Sequence, residues 1–277
     1  MKSVSFETKD EVTLNGFLIE ASAPRGVSII HGATGVPMGY YKAFAQWLSS
    51  ERKHHVLIYG YRDSELKKAS SLRRSRSNMS DWGIRDQSAA LDFALSQFPD
   101  LPVHTIGHSL GGMCLPYHQN ADQIKSHVAI NAGPAYWRNH PWHFLPQVVL
   151  FWFVLGPVAT WLFGYMPGKL IGFNADLPAN VYWQWRRWCS NPNFYEVDWG
   201  HEIKQPVFSR IKCEVQLIGT EDDVMIPPSQ VQKLSKYFPE ASIGYKTISP
   251  SKLGLKAIGH IGIFSPRNQL AWPELIR

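Results

Sequence analysis

Ten residues near the middle of the chain constrain it most: Val103-His104-Thr105-Ile106-Gly107-His108-Ser109-Leu110-Gly111-Gly112. An apolar, strand-like run ends in Gly-x-Ser-x-Gly with a second glycine directly behind it. This wording suits a strand-to-helix turn so tight that its serine stands proud of the sheet. Such a serine occupies a strained backbone conformation, and side chains two residues before and after it would collide. Gly112 lets the following helix pack close to the strand it has just left. A glycine-rich turn with an exposed serine explains the five-residue pattern about as well. Whether the rest of the chain supplies partners for Ser109, in the right order, decides between the two.

The chain is long enough for one large domain or two small ones, and 44% hydrophobic residues are ample for a core. The amino terminus, Met1-Lys2-Ser3-Val4-Ser5-Phe6-Glu7, has no apolar stretch of the secretory type, which points to a cytoplasmic protein. Cys114, Cys189 and Cys213 are odd in number and lack metal-type spacing, so they read as buried thiols in a reducing compartment. A formal charge of +6 favours anionic partners or an anionic membrane surface. Lys67, Lys68, Arg73, Arg74 and Arg76 cluster among serines. A solvated loop accounts for the cluster most simply, and contact with phosphate or lipid headgroups is the second reading. No aromatic platform or recognition-helix pattern accompanies these cations, so no nucleic-acid partner is expected.

Taken in order, residues 4–7 and 13–20 read as paired strands and 27–30 as a third. That third strand runs into His31-Gly32-Ala33-Thr34-Gly35. A strand ending in His-Gly ahead of a nucleophile turn suits half of an oxyanion hole. Its donors would be the N–H groups of Ala33 and Leu110; a plain strand-end turn explains His-Gly equally well. Residues 40–50 suit a helix and 56–59 a strand buried on both faces. A helix that Ser80 can cap extends to Phe98, where Pro99 breaks it and returns the chain to strand 103–108. Strand and helix alternate in the rhythm of a parallel sheet with right-handed crossovers.

After a strand at 127–131 the composition changes. Residues 134–199 hold eight of the eleven tryptophans, and residues 144–168 carry no charge. About twenty apolar residues suffice to cross a membrane. Pro146, Gly156-Pro157, Gly164 and Pro167-Gly168 nevertheless predict a run cut into pieces of about one to three helical turns. The favoured reading is a helical, Trp-rich cap over residues 134–200, inserted into a core formed by 1–133 and 201–277. A second cap helix opens near Ala179. The aromatics serve either as a small core of their own or as an apolar underside for an acyl chain or a membrane surface.

The sheet resumes at 215–219 and leads into Thr220-Glu221-Asp222-Asp223-Val224-Met225-Ile226-Pro227. A carboxylate at the end of a late strand suits the acid of a triad, although short acidic residues also cap turns. Counting from Gly219 favours Asp222; counting back from Pro227 favours Asp223. Asp222 is the first choice and Asp223 the alternative. His260, in Gly259-His260-Ile261-Gly262, is the one histidine of eleven that follows the aspartates and completes the order Ser, Asp, His. His140 and His143 lack convergent ligands, so no metal site is expected.

With the serine turn, the His-Gly turn, the Asp turn and the Gly-His loop in this order, the chain resembles the α/β-hydrolase superfamily over nearly its whole length, apart from the cap. More narrowly, Ser77-Asn78-Met79-Ser80-Asp81-Trp82-Gly83-Ile84-Arg85-Asp86-Gln87, Trp185-Arg186-Arg187-Trp188-Cys189 and Ile258-Gly259-His260-Ile261-Gly262-Ile263-Phe264 are similar to a group of uncharacterised bacterial predicted hydrolases. Two departures stand out: Gly60-Tyr61-Arg62-Asp63 lacks the Arg-Gly-x-Gly turn common after the fourth strand, and the second aspartate blurs the acid. The resemblance implies an α/β fold, a mostly parallel sheet flanked by helices with an inserted cap. It also implies a cofactor-free acyl transfer to water through Ser109, His260 and Asp222. The apolar, charge-free run of the cap adds the expectation of a hydrophobic acyl group, hence a carboxylic ester or thioester as substrate. The alternatives are a membrane-associated lipid hydrolase with peripheral contact through the cap, a perhydrolase or small-peptide hydrolase, and a non-catalytic binding protein on the same fold.

Overall fold

Eight strands form one sheet in the order β1-β2-β4-β3-β5-β6-β7-β8. They are β1 (Lys2–Glu7), β2 (Thr13–Ile19), β3 (Gly26–His31), β4 (His54–Tyr59), β5 (Val103–His108), β6 (Ile124–Ile130), β7 (Glu214–Thr220) and β8 (Ser242–Ile248). The computed structural model describes residues 1–173 and 175–276. β1 and β2 pair antiparallel, β2 runs antiparallel to β4, and every later pairing is parallel. All six residues of β3 are buried, as a central strand covered on both faces requires.

Strand alternation divides the core. Ile30, Val56, Ile58, Ile106, Ile130 and Ile218 face one side. There they meet Phe44 and Leu48 of helix α1 (Lys42–Arg52) and Trp272 of the carboxy-terminal segment. Val27, Ile29, Leu57 and Val103 face the other side. The short basic helix α2 (Ala69–Arg74) precedes α3 (Gln87–Gln97), whose buried Ala90, Leu91 and Ala94 belong to that second cluster. Ser80 makes no cap. The chain enters α3 through a π-helical turn over Asp81–Asp86, and Asp81 instead accepts the Asn78 N–H at 2.8 Å.

Where the Arg-Gly-x-Gly turn is missing, Arg62 organises the end of β4. Its backbone N–H and Nε donate to Asp86 at 2.8 and 2.7 Å, and its two terminal nitrogens donate to Asp10 at 2.6 and 2.9 Å. Arg62 is 8% exposed and Asp86 fully buried, so without Asp86 the guanidinium keeps Asp10 but its Nε and backbone N–H lose their acceptor out of reach of water. Asp86→Ala is therefore expected to lower the unfolding free energy by about 1–3 kcal/mol, read from urea denaturation.

Between β6 and β7 lies the helical insertion: α4 (Leu145–Leu150), a π-helical turn Phe151–Leu155, α5 (Gly156–Phe163) and α6 (Ala179–Cys189). The charge-free run is not cut at Gly156-Pro157. It forms one unbroken 19-residue helix, Leu145–Phe163. The π turn is the reason. Gly156 N–H bonds back five residues to the Phe151 carbonyl, so the register shifts just before the proline that has no N–H to offer. The Trp152 carbonyl, opposite that missing donor, accepts Arg186 Nε of α6 at 2.6 Å. The last elements are α7 (Pro228–Gln232) after β7 and a single helical turn, α8 (Gly259–Gly262).

Candidate active site

The carboxyl ends of β3, β5, β6 and β7 converge, which in an open α/β sheet is where a crevice forms. Ser109 follows β5 directly and sits at φ 53°, a left-handed conformation that few non-glycine residues adopt. The turn closes only because its neighbours are glycines. A Cβ on Gly107 would lie 2.3 Å from the Gly111 carbonyl, and one on Gly111 would lie 2.1 Å from that of His31. The second contact shows how closely the end of β3 is pressed against the serine turn.

Ser109 Oγ lies 3.1 Å from His260 Nε2, and His260 Nδ1 lies 2.7 Å from Asp223 Oδ2. The second oxygen of Asp223 accepts the N–H groups of Met225 and Ile226 at 2.8 and 2.9 Å, which keeps the buried carboxylate aimed at the imidazole. Asp222, the first choice from the sequence, is corrected: its carboxylate accepts the N–H groups of Ile258 and Gly259 at 2.8 and 3.0 Å and does not face the imidazole. Consecutive residues leaving a strand point to opposite sides. Asp223 thus turns to the ring of His260, while Asp222 clamps the backbone that carries it.

Ala33 is also corrected. Its N–H donates to the buried Tyr41 hydroxyl at 2.8 Å and so is already engaged. The residue of that turn lining the crevice with Ser109 and Leu110 is Thr34. The Tyr41 hydroxyl stands 2.9 Å from His108 Nδ1, and His108 Nε2 stands 2.9 Å from the His260 carbonyl. A carbonyl only accepts, so Nε2 carries the proton, Nδ1 accepts, and Tyr41 donates to it. Burial holds the His108 pKa down to about 3, which keeps the ring neutral. One chain of hydrogen bonds therefore runs from the β3 turn, behind the serine, to the His260 backbone.

Asn131, at the end of β6 with φ 47°, completes the support. Its amide nitrogen donates to the His260 carbonyl at 3.1 Å and its oxygen accepts the Thr220 N–H at 2.9 Å. An apolar cavity of about 480 Å³ opens beside Ser109 and His260, walled by Phe144, Phe151, Phe173, Trp185 and Trp188 of the insertion. Among the described residues no group of three or more His, Cys, Asp or Glu side chains is placed to hold a metal.

Residues 29–266 match the alpha/beta hydrolase family. The chain belongs to that family. Searched against curated proteins, it finds no match. Among solved structures, a Pyrococcus furiosus esterase aligns at TM-score 0.58 and 15% identity, over 99% of this chain and 88% of that one. A thermophilic esterase from Thermogutta terrifontis aligns at TM-score 0.56 and 10% identity, over 99% and 97%. Pyrococcus horikoshii acylaminoacyl peptidase gives TM-score 0.56 and 15% identity, over 97% of this chain but 39% of that one. At such identities these likenesses speak for the fold alone.

For this alpha/beta hydrolase, Tyr41, His108 and Asn131 are the site residues that motif reading passes over. His108 lies inside the quoted serine motif, but nothing in a sequence reveals which way its ring turns. Asn131 carries one usable signal: an asparagine at a strand end is among the few residues that tolerate positive φ.

Proposed function

We propose that this protein is a serine hydrolase that cleaves a carboxylic ester or thioester with a hydrophobic acyl group. The reading is carried by one observation: the hydrogen-bonded sequence Ser109–His260–Asp223 opens on an apolar cavity. His260 Nε2 takes the Ser109 proton as Oγ attacks the carbonyl carbon. Asp223 holds the opposite ring nitrogen protonated and stabilises the imidazolium. The developing oxyanion is met by the Leu110 N–H and the Thr34 N–H, the latter replacing Ala33. Each such donor is worth about 3–4 kcal/mol of barrier. His260 then returns the proton to the leaving alkoxide or thiolate, and a water activated by the same base releases the acid.

An apolar cavity needs no charged anchor on the acyl group, which favours medium and long chains over short charged ones. The test is labelling by a fluorophosphonate probe, with turnover of p-nitrophenyl esters of increasing acyl length. Wild type is expected to label, and Ser109→Ala and His260→Ala to lose both label and turnover. For Ser109→Ala the loss should be on the order of 10⁶-fold in turnover. A folded wild-type protein that neither labels nor turns over any ester would favour the non-catalytic binding reading.

A further inference from the structure

The helix Leu145–Phe163 presents an unusual outer surface. Leu150, Val154, Val158, Trp161 and Leu162 recur at helical spacing and are all exposed, Trp161 to 78% and Leu162 to 64%. A soluble surface seldom leaves so many large apolar side chains in one contiguous stripe. The opposite face is engaged: Trp152 and Thr160 are buried, and Trp152 packs edge-on to Trp185. At about 28 Å the helix is long enough to cross a bilayer. Crossing would strip the packing of Trp152 and its carbonyl bond to Arg186. The helix is therefore placed to lie on a surface, one face on protein and one free.

Its neighbours say which surface. Arg73 Nε donates to the Phe163 carbonyl at 2.7 Å, which fixes α2 beside the helix's carboxyl end. Lys67, Lys68, Arg74 and Arg76 around it are exposed, and no ion pair holds them among the described residues. The two carboxylates of this stretch are engaged elsewhere: Asp63 accepts the hydroxyls of Ser75 and Ser77, and Glu65 accepts the Met38 N–H. A second copy meeting this face about a twofold axis would set one basic cluster near the other. An anionic lipid surface supplies instead an apolar phase for the stripe and negative headgroups for the cations.

We propose that the protein docks on an anionic phospholipid bilayer through the outer stripe of the Leu145–Phe163 helix, with residues 67–76 against the headgroups. Leu150 and Leu155 are exposed and also line the cavity beside Ser109, so a bilayer-held ester has an apolar route to the serine. That last step rests on the hydrolase reading above; the docking does not.

Flotation with phosphatidylcholine vesicles, with and without phosphatidylglycerol, tests it. Wild type and Ser109→Ala should float alike with the anionic vesicles at low salt, and at least about tenfold less with the neutral ones. Trp161→Glu/Leu162→Glu should reduce flotation by about tenfold or more and retain turnover of a water-soluble short ester. Arg74→Glu/Arg76→Glu should abolish the preference for anionic vesicles. The docking is overturned if wild type stays with the soluble fraction, or if the Trp161/Leu162 variant floats as well as wild type. It is equally overturned if sedimentation shows a dimer that this variant disperses without vesicles, since a second copy then covers the stripe. Failure of the hydrolase reading would appear separately, as flotation without any Ser109-dependent turnover.

Discussion

Asp223→Asn is expected to lower turnover by about four orders of magnitude, whereas Asp222→Ala leaves the serine reactive. The asparagine is nearly isosteric and keeps its oxygen for the Met225 and Ile226 N–H groups. The group facing His260 Nδ1, however, becomes an NH₂ donor. The imidazole must then carry its proton on Nε2, the nitrogen that has to accept from Ser109 at 3.1 Å. The wrong tautomer disarms the base without disturbing the fold. Asp222→Ala acts differently, because it frees the Ile258 and Gly259 N–H groups. Its cost is expected as stability, about 1.5–3 kcal/mol, with fluorophosphonate labelling retained. Turnover and urea denaturation of the two variants side by side would decide the assignment. If Asp222→Ala is the one that silences the serine, the acid role of Asp223 is refuted.

Acid should unfold this protein early. His31, His108, His118 and His127 are buried, and burial is the leading cause that keeps them from protonating. The pKa falls to about 3 for His108 and His118 and to about 4 for His127; that of His31 lies well below its ordinary value. Each folded-state value lies under the unfolded one near 6.5, so the unfolded chain binds protons that the folded chain refuses. Stability from these groups is complete above pH 6.5 or so and is lost as pH falls toward the folded values, at about 1.4 kcal/mol per pH unit for each. One buried group acts the other way. Burial pushes the Asp86 carboxyl up to about 7, even against the Arg62 guanidinium, which cancels roughly one histidine between pH 7 and 4. For these five groups together the slope is that of about three histidines, near 4 kcal/mol per pH unit, and a typical domain has only about 5–15 kcal/mol in all. The urea midpoint is therefore expected to be nearly flat from pH 8 to 7 and to drop steeply between pH 6.5 and 5. A midpoint unchanged down to pH 5 would contradict the neutral, buried state of these rings.

Much of the site was legible in the sequence for local reasons. Ser109 is marked by glycines because its turn leaves no room for side chains, a constraint felt within five residues. His260 is marked by its place after the aspartates and by its flanking glycines. The strands were legible from apolar runs, since a strand buried on both faces has little freedom in composition. The readings that failed concern direction. Whether Asp222 or Asp223 faces the imidazole depends on how β7 emerges against α8, and no spacing rule separates adjacent residues. Whether the Ala33 N–H faces the crevice depends on Tyr41, which reaches it from the start of the next helix. The Gly156-Pro157 break failed for a similar reason: a π turn and a guanidinium from α6 satisfy groups that an isolated helix leaves open.

By itself, then, the sequence determined the order of strands and helices, the serine turn and the histidine that answers it. Those features are written in backbone allowance and burial, which act over a few neighbouring residues. The tertiary structure alone decided which carboxylate bonds to His260, that the Ala33 N–H is taken by Tyr41, and which side of the charge-free helix is left bare. Each of those outcomes is set by partners far away in the chain, and a side chain's direction is settled only when the element packed against it is in place.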